Sequence, residues 1–299
     1  MRILSTRRYP GPAFDELVDV DVCALEDLQA PEPGVEALIV ANEPVPLDLL
    51  PGLRIVANYG VGFDRVGVES CAERGVLVTN TPGVLDDATA DLAFGLILAT
   101  RRRLVEGDHL VRAGAWSGGW ADSALAAELA GSTLGIVGLG RIGSAVARRA
   151  RGFDLRVLYT RRHPVDTDPG EHRELDELLA ESDVVTLHVP LTPETRGLID
   201  ARRLALLRDG ACFVNTARGE IVDEPALVAE LVSGRIRAGL DVFAEEPNVP
   251  RELLSLDNVV LTPHIGSATV EAREAMTRLV VDNLLAVERG DPPLTPVRI

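Results

Sequence analysis

Residues 134–150 read LGIVGLGRIGSAVARRA: an apolar strand-like run, three glycines and then a stretch of good helix formers. Gly138, Gly140 and Gly143 form a G-x-G-x-x-G pattern. Such a pattern means little alone, but here it follows a strand and opens a helix, the setting of a dinucleotide-binding turn. In that setting Gly138 makes the tight bend, Gly140 lets a pyrophosphate approach the backbone, and Gly143 lets helix and strand pack closely. The helix N-terminus adds free amides and the positive end of its dipole. The plainer alternative is a glycine-rich turn that holds nothing.

Working outward, strand-like runs recur on both sides. RIL (2–4), ALIV (37–40), RIVAN (54–58) and VLVT (76–79) come before; RVLY (156–159), VVTLHV (184–189), ACFVN (211–215), IRAGL (236–240) and NVVLT (258–262) come after. Helix-like segments alternate with them, which predicts parallel sheets in an α/β fold. Two longer helices are expected over about 86–112 and 268–288. Their places suggest two doubly wound parallel-sheet domains, with residues 95–267 as a Rossmann domain inserted between 1–94 and a returning helix in 268–299. A continuous two-domain split is the alternative.

Composition narrows the function. The 299 residues are 46% hydrophobic and 25% charged, a globular balance. A formal charge of −16 argues against nucleic acid as a partner, because phosphate neutralisation needs a basic surface. All thirty basic residues are arginine, so Schiff-base chemistry and a P-loop lysine are excluded. Cys23, Cys71 and Cys212 are odd in number and far apart, which suggests neither disulfides nor a zinc knuckle and fits a reducing cytoplasm. MRILSTRRYP lacks the apolar core of a signal peptide. DLAFGLILAT (91–100) is too short to span a bilayer, so no membrane association is expected.

The next strand, the second of the dinucleotide fold, ends LRVLYTRR (155–162). About 20 residues past the first glycine, NAD-binding proteins place an Asp or Glu on the ribose 2′-hydroxyl. Thr160 stands there instead, followed by Arg161 and Arg162. Arginine can bind a 2′-phosphate through charge-assisted, bidentate bonds, which favours NADP(H) with NAD(H) possible. A solvated strand end that accepts either dinucleotide is the alternative.

Three further segments each lie just past a strand, where doubly wound sheets face their ligand crevice. VNTARGEIVDEPAL carries Arg218, GLDVFAEEP carries Asp241 and Glu246, and LTPHIGSAT carries His264. Singly these read as a surface ion pair, a solvated acidic loop and a core histidine. Together they are an anion binder, an acid and a proton donor. His109, His163, His172 and His188 show no metal-ligand spacing, so no metal is expected, and His188 reads as structural within a buried strand.

At this point the chain resembles the family of D-isomer-specific 2-hydroxyacid dehydrogenases over essentially its whole length. ANYGVGFDRV, VTNTPGVLDDATADLAFGLIL, GIVGLGRIG, LHVPLTPETRGLI, VNTARGEIVDEPAL, GLDVFAEEP and LTPHIGSAT match its motifs in order. The pattern is most similar to glyoxylate/hydroxypyruvate reductases, where such a strand end goes with NADPH. The resemblance implies a flavodoxin-like substrate domain around the Rossmann insertion. It also implies reduction of a small 2-oxo acid to the D-2-hydroxy acid by hydride transfer.

Roles follow from the matching residues. Arg218 corresponds to the arginine that binds the substrate carboxylate and polarises its keto oxygen, as a planar guanidinium can. His264 corresponds to the acid–base, and Glu246 to the partner that keeps its imidazole protonated. Asp241 matches the residue that holds the nicotinamide amide, and Val61 and Gly62 the backbone loop that cradles the carboxylate. The resemblance extends the dinucleotide site to Arg141, Ile142, Val189, Pro190, Thr195, Thr216 and Gly266. Tyr59, Leu85 and Arg103 are candidate side-chain walls. The segment 113–135, with Trp116 and Trp120, corresponds to part of a large dimer interface, which implies a homodimer. Two alternatives stay open: an NAD-linked enzyme of the family for another 2-hydroxy acid or phosphite, and a dinucleotide-sensing corepressor without turnover.

Overall fold

The computed structural model describes residues 1–118, 125–162 and 170–298; Trp120 and His163 lie outside them. The chain divides into two compact units, Met1–Asp86 with Ser267–Ile299, and Asp87–Gly266.

The first unit begins with β1 (Ile3–Ser5), β2 (Val20–Val22), β3 (Ala37–Val40), β4 (Ile55–Asn58), α1 (Val68–Glu73) and β5 (Leu77–Thr79). They form a five-stranded sheet in the order β2-β1-β3-β4-β5. Every pairing is parallel, so this is the flavodoxin-like, doubly wound order. Leu4, Leu38, Val40, Val56 and Val78 are buried on one core, which is why ALIV and IVAN read as near-continuous apolar runs. The strand β2 escapes sequence reading because VDV is a half-exposed edge with a charge in its middle.

The second unit opens with α2 (Asp86–Arg101) and α3 (Leu104–Arg112). One continuous helix was expected over 86–112, and the structure corrects this. Arg103 adopts the left-handed conformation at φ 53°, and its Nε donates to Glu106 at 2.7 Å. Arg101 is drawn inward, 9% exposed, and donates to the Glu128 carbonyl at 2.6 Å. Those two anchors pull neighbouring arginines in different directions and break the helix between them.

There follow β6 (Thr133–Val137), α4 (Arg141–Arg151), β7 (Arg156–Thr160), β8 (Glu171–His172), α5 (Leu175–Glu181) and β9 (Val184–Leu187). The unit closes with α6 (Ala201–Leu204), β10 (Cys212–Asn215), α7 (Glu224–Val232), β11 (Arg237–Leu240) and β12 (Val259–Leu261). The seven strands are ordered β12-β11-β10-β9-β6-β7-β8, all parallel, so strand order reverses between β6 and β9. That is the Rossmann arrangement, whose ligand crevice lies beyond the carboxyl ends at the reversal. Period-2 alternation sorts the strands onto two cores. Val137, Leu158, Val185, Leu187 and Phe213 face one; Leu134, Ile136, Val157, Tyr159 and Val214 face the other, with Ala90, Ala93 and Ile97 of α2.

The last helix, α8 (Val270–Arg289), belongs to the first unit. Thr269 caps it by accepting the Ala272 amide at 3.2 Å. Its face Ala272, Met276, Val280, Leu284 and Val287 is buried at helical spacing. Among the described residues, no helix is long and apolar enough to cross a membrane.

Candidate active site

The glycine turn is built as its spacing requires. Gly138 has φ 97°, and a Cβ there would meet the His188 carbonyl oxygen at 2.6 Å. A Cβ on Gly143 would meet the Gly138 carbonyl oxygen at 2.1 Å. Gly140 differs: a Cβ there meets nothing within 4 Å, so open space lies above the start of α4. Arg141 and Ile142 begin that helix, and no acidic residue occupies its first turn. Uncapped amides beside open space suit a pyrophosphate.

Thr160 ends β7, and its carbonyl accepts the Gly138 amide at 3.0 Å, which ties the strand end to the turn. Arg161 reaches back, with Nη1 3.5 Å from the Leu139 carbonyl. Arg162 is exposed and lies 3.8 Å from Glu194. Across the sheet reversal, Val189 and Pro190 follow β9. Thr195 Oγ1 donates to the Pro190 carbonyl at 2.6 Å and accepts the Thr192 amide at 2.8 Å, so it shapes this loop from within. The expected strand over 184–189 ends at Leu187, leaving His188 beyond it. Desolvation lowers the His188 ring to about 3, so it is neutral, and Nε2 sits 2.9 Å from Thr186 Oγ1.

Past β10, the Asn215 side chain accepts the Ala217 amide at 3.0 Å and donates to the Arg218 carbonyl at 2.8 Å. These bonds fix the turn that carries Arg218, which is half-buried. Gly219 is required beside it, since a Cβ would meet the Phe243 carbonyl carbon at 2.0 Å. Thr216 Oγ1 is buried and has no partner among the described residues.

Glu246 and His264 come together. Glu246 Oε2 lies 2.8 Å from His264 Nδ1, and Oε1 accepts the Phe243 amide at 3.2 Å. Burial works to raise the Glu246 carboxyl. The His264 bond and charge, the Phe243 amide and the Arg218 charge outweigh burial and hold it below the ordinary carboxylate value. The Arg218 charge is the smallest of these effects.

The loop bearing His264 hangs on Asp241. The Asp241 carbonyl accepts the His264 amide at 2.9 Å. Its Oδ1 accepts Thr262 Oγ1 at 2.7 Å and the Ile265 amide at 2.8 Å, and its Oδ2 accepts the Gly266 amide at 2.8 Å. Asp241 is fully buried, and burial raises its carboxyl above the ordinary value while those donors pull the other way. Sequence reading had no signal for this bracing role.

Val61 and Gly62 lie in the first unit, just past β4. Of the candidate walls, Tyr59 and Leu85 are buried, Tyr59 Oη donates to the Arg273 carbonyl at 2.9 Å, and Arg103 pairs with Glu106. Among the described residues, no group of three or more His, Cys, Asp or Glu could hold a metal ion.

Residues 94–266 match the model of the D-isomer specific 2-hydroxyacid dehydrogenase NAD-binding domain. The chain belongs to that family and is an NAD(P)-dependent oxidoreductase acting on 2-hydroxy acids. It is 56% identical over 259 residues to a glyoxylate reductase of Pyrococcus furiosus, covering 83% of this chain and 76% of that one. Among solved structures it is similar to TT0316 protein from Thermus thermophilus, at TM-score 0.92 and 44% identity over the full length of both chains. It is also similar to an NADPH-dependent glyoxylate/hydroxypyruvate reductase of Sinorhizobium meliloti solved with NADP and malonate. That likeness has TM-score 0.92 and 40% identity, over 99% of this chain and 96% of the other.

Proposed function

We propose that this chain reduces a small 2-oxo acid of the glyoxylate or hydroxypyruvate type to the D-2-hydroxy acid, preferring NADPH to NADH. The observation that carries the reading is the 2.8 Å contact between His264 Nδ1 and Glu246 Oε2, within the influence of Arg218. Glu246 occupies one ring nitrogen and fixes its orientation, so His264 Nε2 is the atom left to deliver a proton to the keto oxygen. Arg218 binds the substrate carboxylate and polarises that oxygen. In the first unit, Val61 and Gly62 offer backbone amides to a substrate carboxylate.

The residues fit a dinucleotide: open space at Gly140, an uncapped helix start and the unpartnered Thr216 hydroxyl all suit one. When bound, it supplies the hydride. Gly138, Gly140, Arg141, Ile142 and Gly143 would hold its pyrophosphate, and Thr160, Arg161 and Arg162 the adenosine ribose and its 2′-phosphate. Val189, Pro190, Thr195, Thr216, Gly266 and Asp241 would take the nicotinamide half. The NADPH named for the Sinorhizobium meliloti relative supports this preference. A homodimer is part of the proposal. The helix α3 buries no residue, and Leu104, Leu110, Val111 and Trp116 are exposed, an apolar surface suited to a second copy.

The test follows oxidation of NADPH and NADH in turn with glyoxylate, hydroxypyruvate, pyruvate and longer 2-oxo acids. We expect the fastest oxidation with NADPH and the two smallest polar acids. No oxidation with any acid would replace the enzyme by a dinucleotide-binding protein without turnover.

A further inference from the structure

The Gly60, Val61 and Gly62 carbonyls, just past β4, are each held by an asparagine side chain. Asn58 is fully buried, and its Nδ2 donates to the Gly60 carbonyl at 3.1 Å and the Gly62 carbonyl at 2.9 Å. Between them, the Val61 carbonyl accepts Asn80 Nδ2 at 2.9 Å. Among the described residues, the amides of Val61 and Gly62 donate to nothing in the chain. With three consecutive carbonyls engaged by side chains, the two amides are left for an external acceptor.

Asn80 is itself held from a distant part of the sequence. Its amide donates to the Thr295 carbonyl at 3.3 Å, and its carbonyl accepts Thr295 Oγ1 at 2.6 Å. Thr295 is fixed in turn by the fully buried Asn283 of α8. Asn283 Oδ1 accepts the Thr295 amide at 3.0 Å, and its Nδ2 donates to Thr295 Oγ1 at 2.9 Å.

We propose that Asn58, Asn80 and Thr295 are positioning residues for substrate carboxylate binding. Asn80 and Thr295 form a hydrogen-bonded relay from α8 to the Val61 carbonyl, Asn58 holds the Gly60 and Gly62 carbonyls on either side of it, and together they present the Val61 and Gly62 amides to the anion. The inference rests on the reading of Val61 and Gly62 given above and adds to it the residues that set their geometry. None of the relay side chains touches the substrate; Thr295 acts two hydrogen bonds away from the loop.

The experiment uses the full chain with NADPH, and malonate as the carboxylate probe. Thr295→Val removes the hydroxyl while keeping the shape, Asn80→Asp removes the donor at constant size, and Thr295→Ser keeps the hydroxyl. Loss of one hydrogen bond of this kind predicts a rise of about three- to tenfold in KM for the 2-oxo acid. The inhibition constant for malonate should rise in parallel in Thr295→Val and Asn80→Asp, with NADPH affinity within about twofold of the parent by the same reasoning. Thr295→Ser should restore both constants. Folded variants with unchanged KM and malonate inhibition would overturn the relay while turnover by the parent leaves the function standing. A parent that neither reduces a 2-oxo acid nor binds malonate would overturn the function, and this inference with it.

Discussion

Glu246 holds His264 from one side and the Phe243 amide from the other, with both carboxylate oxygens engaged at 2.8 and 3.2 Å. The carboxylate therefore cannot rotate away without breaking two bonds, and the imidazole ring is oriented by a fixed partner. Glu246→Gln should lower kcat by about 10²- to 10⁴-fold, the range for losing general acid–base assistance, with dinucleotide affinity nearly unchanged. His264→Gln should fall at least as far. Intact turnover in either variant, measured at saturating substrate, would remove the pair from the mechanism.

The glycines divide into two kinds with opposite expected outcomes. Gly143→Ala drives a methyl into the Gly138 carbonyl oxygen, so it should lower thermal stability even without dinucleotide. Gly140→Ala has φ −86° and open space, so it should melt like the parent. On the proposed dinucleotide site the added methyl stands in the path of the pyrophosphate, so dinucleotide affinity alone should drop. Calorimetry and a fluorescence titration of NADPH separate the two.

Arg161→Ala with Arg162→Ala should raise KM for NADPH and leave KM for NADH in place. Glu194 lies 3.8 Å from Arg162 and carries the same sign as the 2′-phosphate. Glu194→Gln should therefore act in the opposite direction, lowering KM for NADPH. The pair is exposed, which limits the gain to about fivefold, and added salt should erase it.

Acid should loosen the β7–β8 edge. Glu171 bonds Arg156 at 2.8 Å and Arg173 at 2.8 Å, and these partners hold its carboxyl at about 2, below an ordinary value of 4.5. A depressed carboxylate contributes stability that is complete above its unfolded value and is lost as pH falls through the folded one. Thermal melts should thus decline between about pH 4.5 and 2. Glu171→Gln should decline less over that window; an unchanged slope would show that the exposed pairs contribute nothing.

Much of this was readable because the signals are local. The glycine turn sits in a single strand–turn–helix segment, and each of Arg218, Asp241, Glu246 and His264 lies just past an apolar run that marks a strand end. The break at Arg103 was hidden, because nothing in three adjacent arginines says that Arg101 will reach inward to Glu128. The short edges β2 and β8 carry too few apolar residues to show period 2. The bracing of His264 by Asp241 depends on backbone amides, which no residue type announces. The Asn80–Thr295 contact joins positions 215 apart, so it leaves no trace in any window of sequence.

His264 has φ 51°, a left-handed backbone that an L-residue with a Cβ adopts at a cost of about 1–2 kcal/mol. Glycine is free of that cost, so His264→Gly should melt at a higher temperature than His264→Ala, although both lack the ring. The proposed proton donor thus occupies the place in its loop where the backbone would be most at ease with no side chain at all. Selection of this chain for heat resistance alone would favour glycine over alanine at position 264, and only a screen that also demands turnover would keep the imidazole.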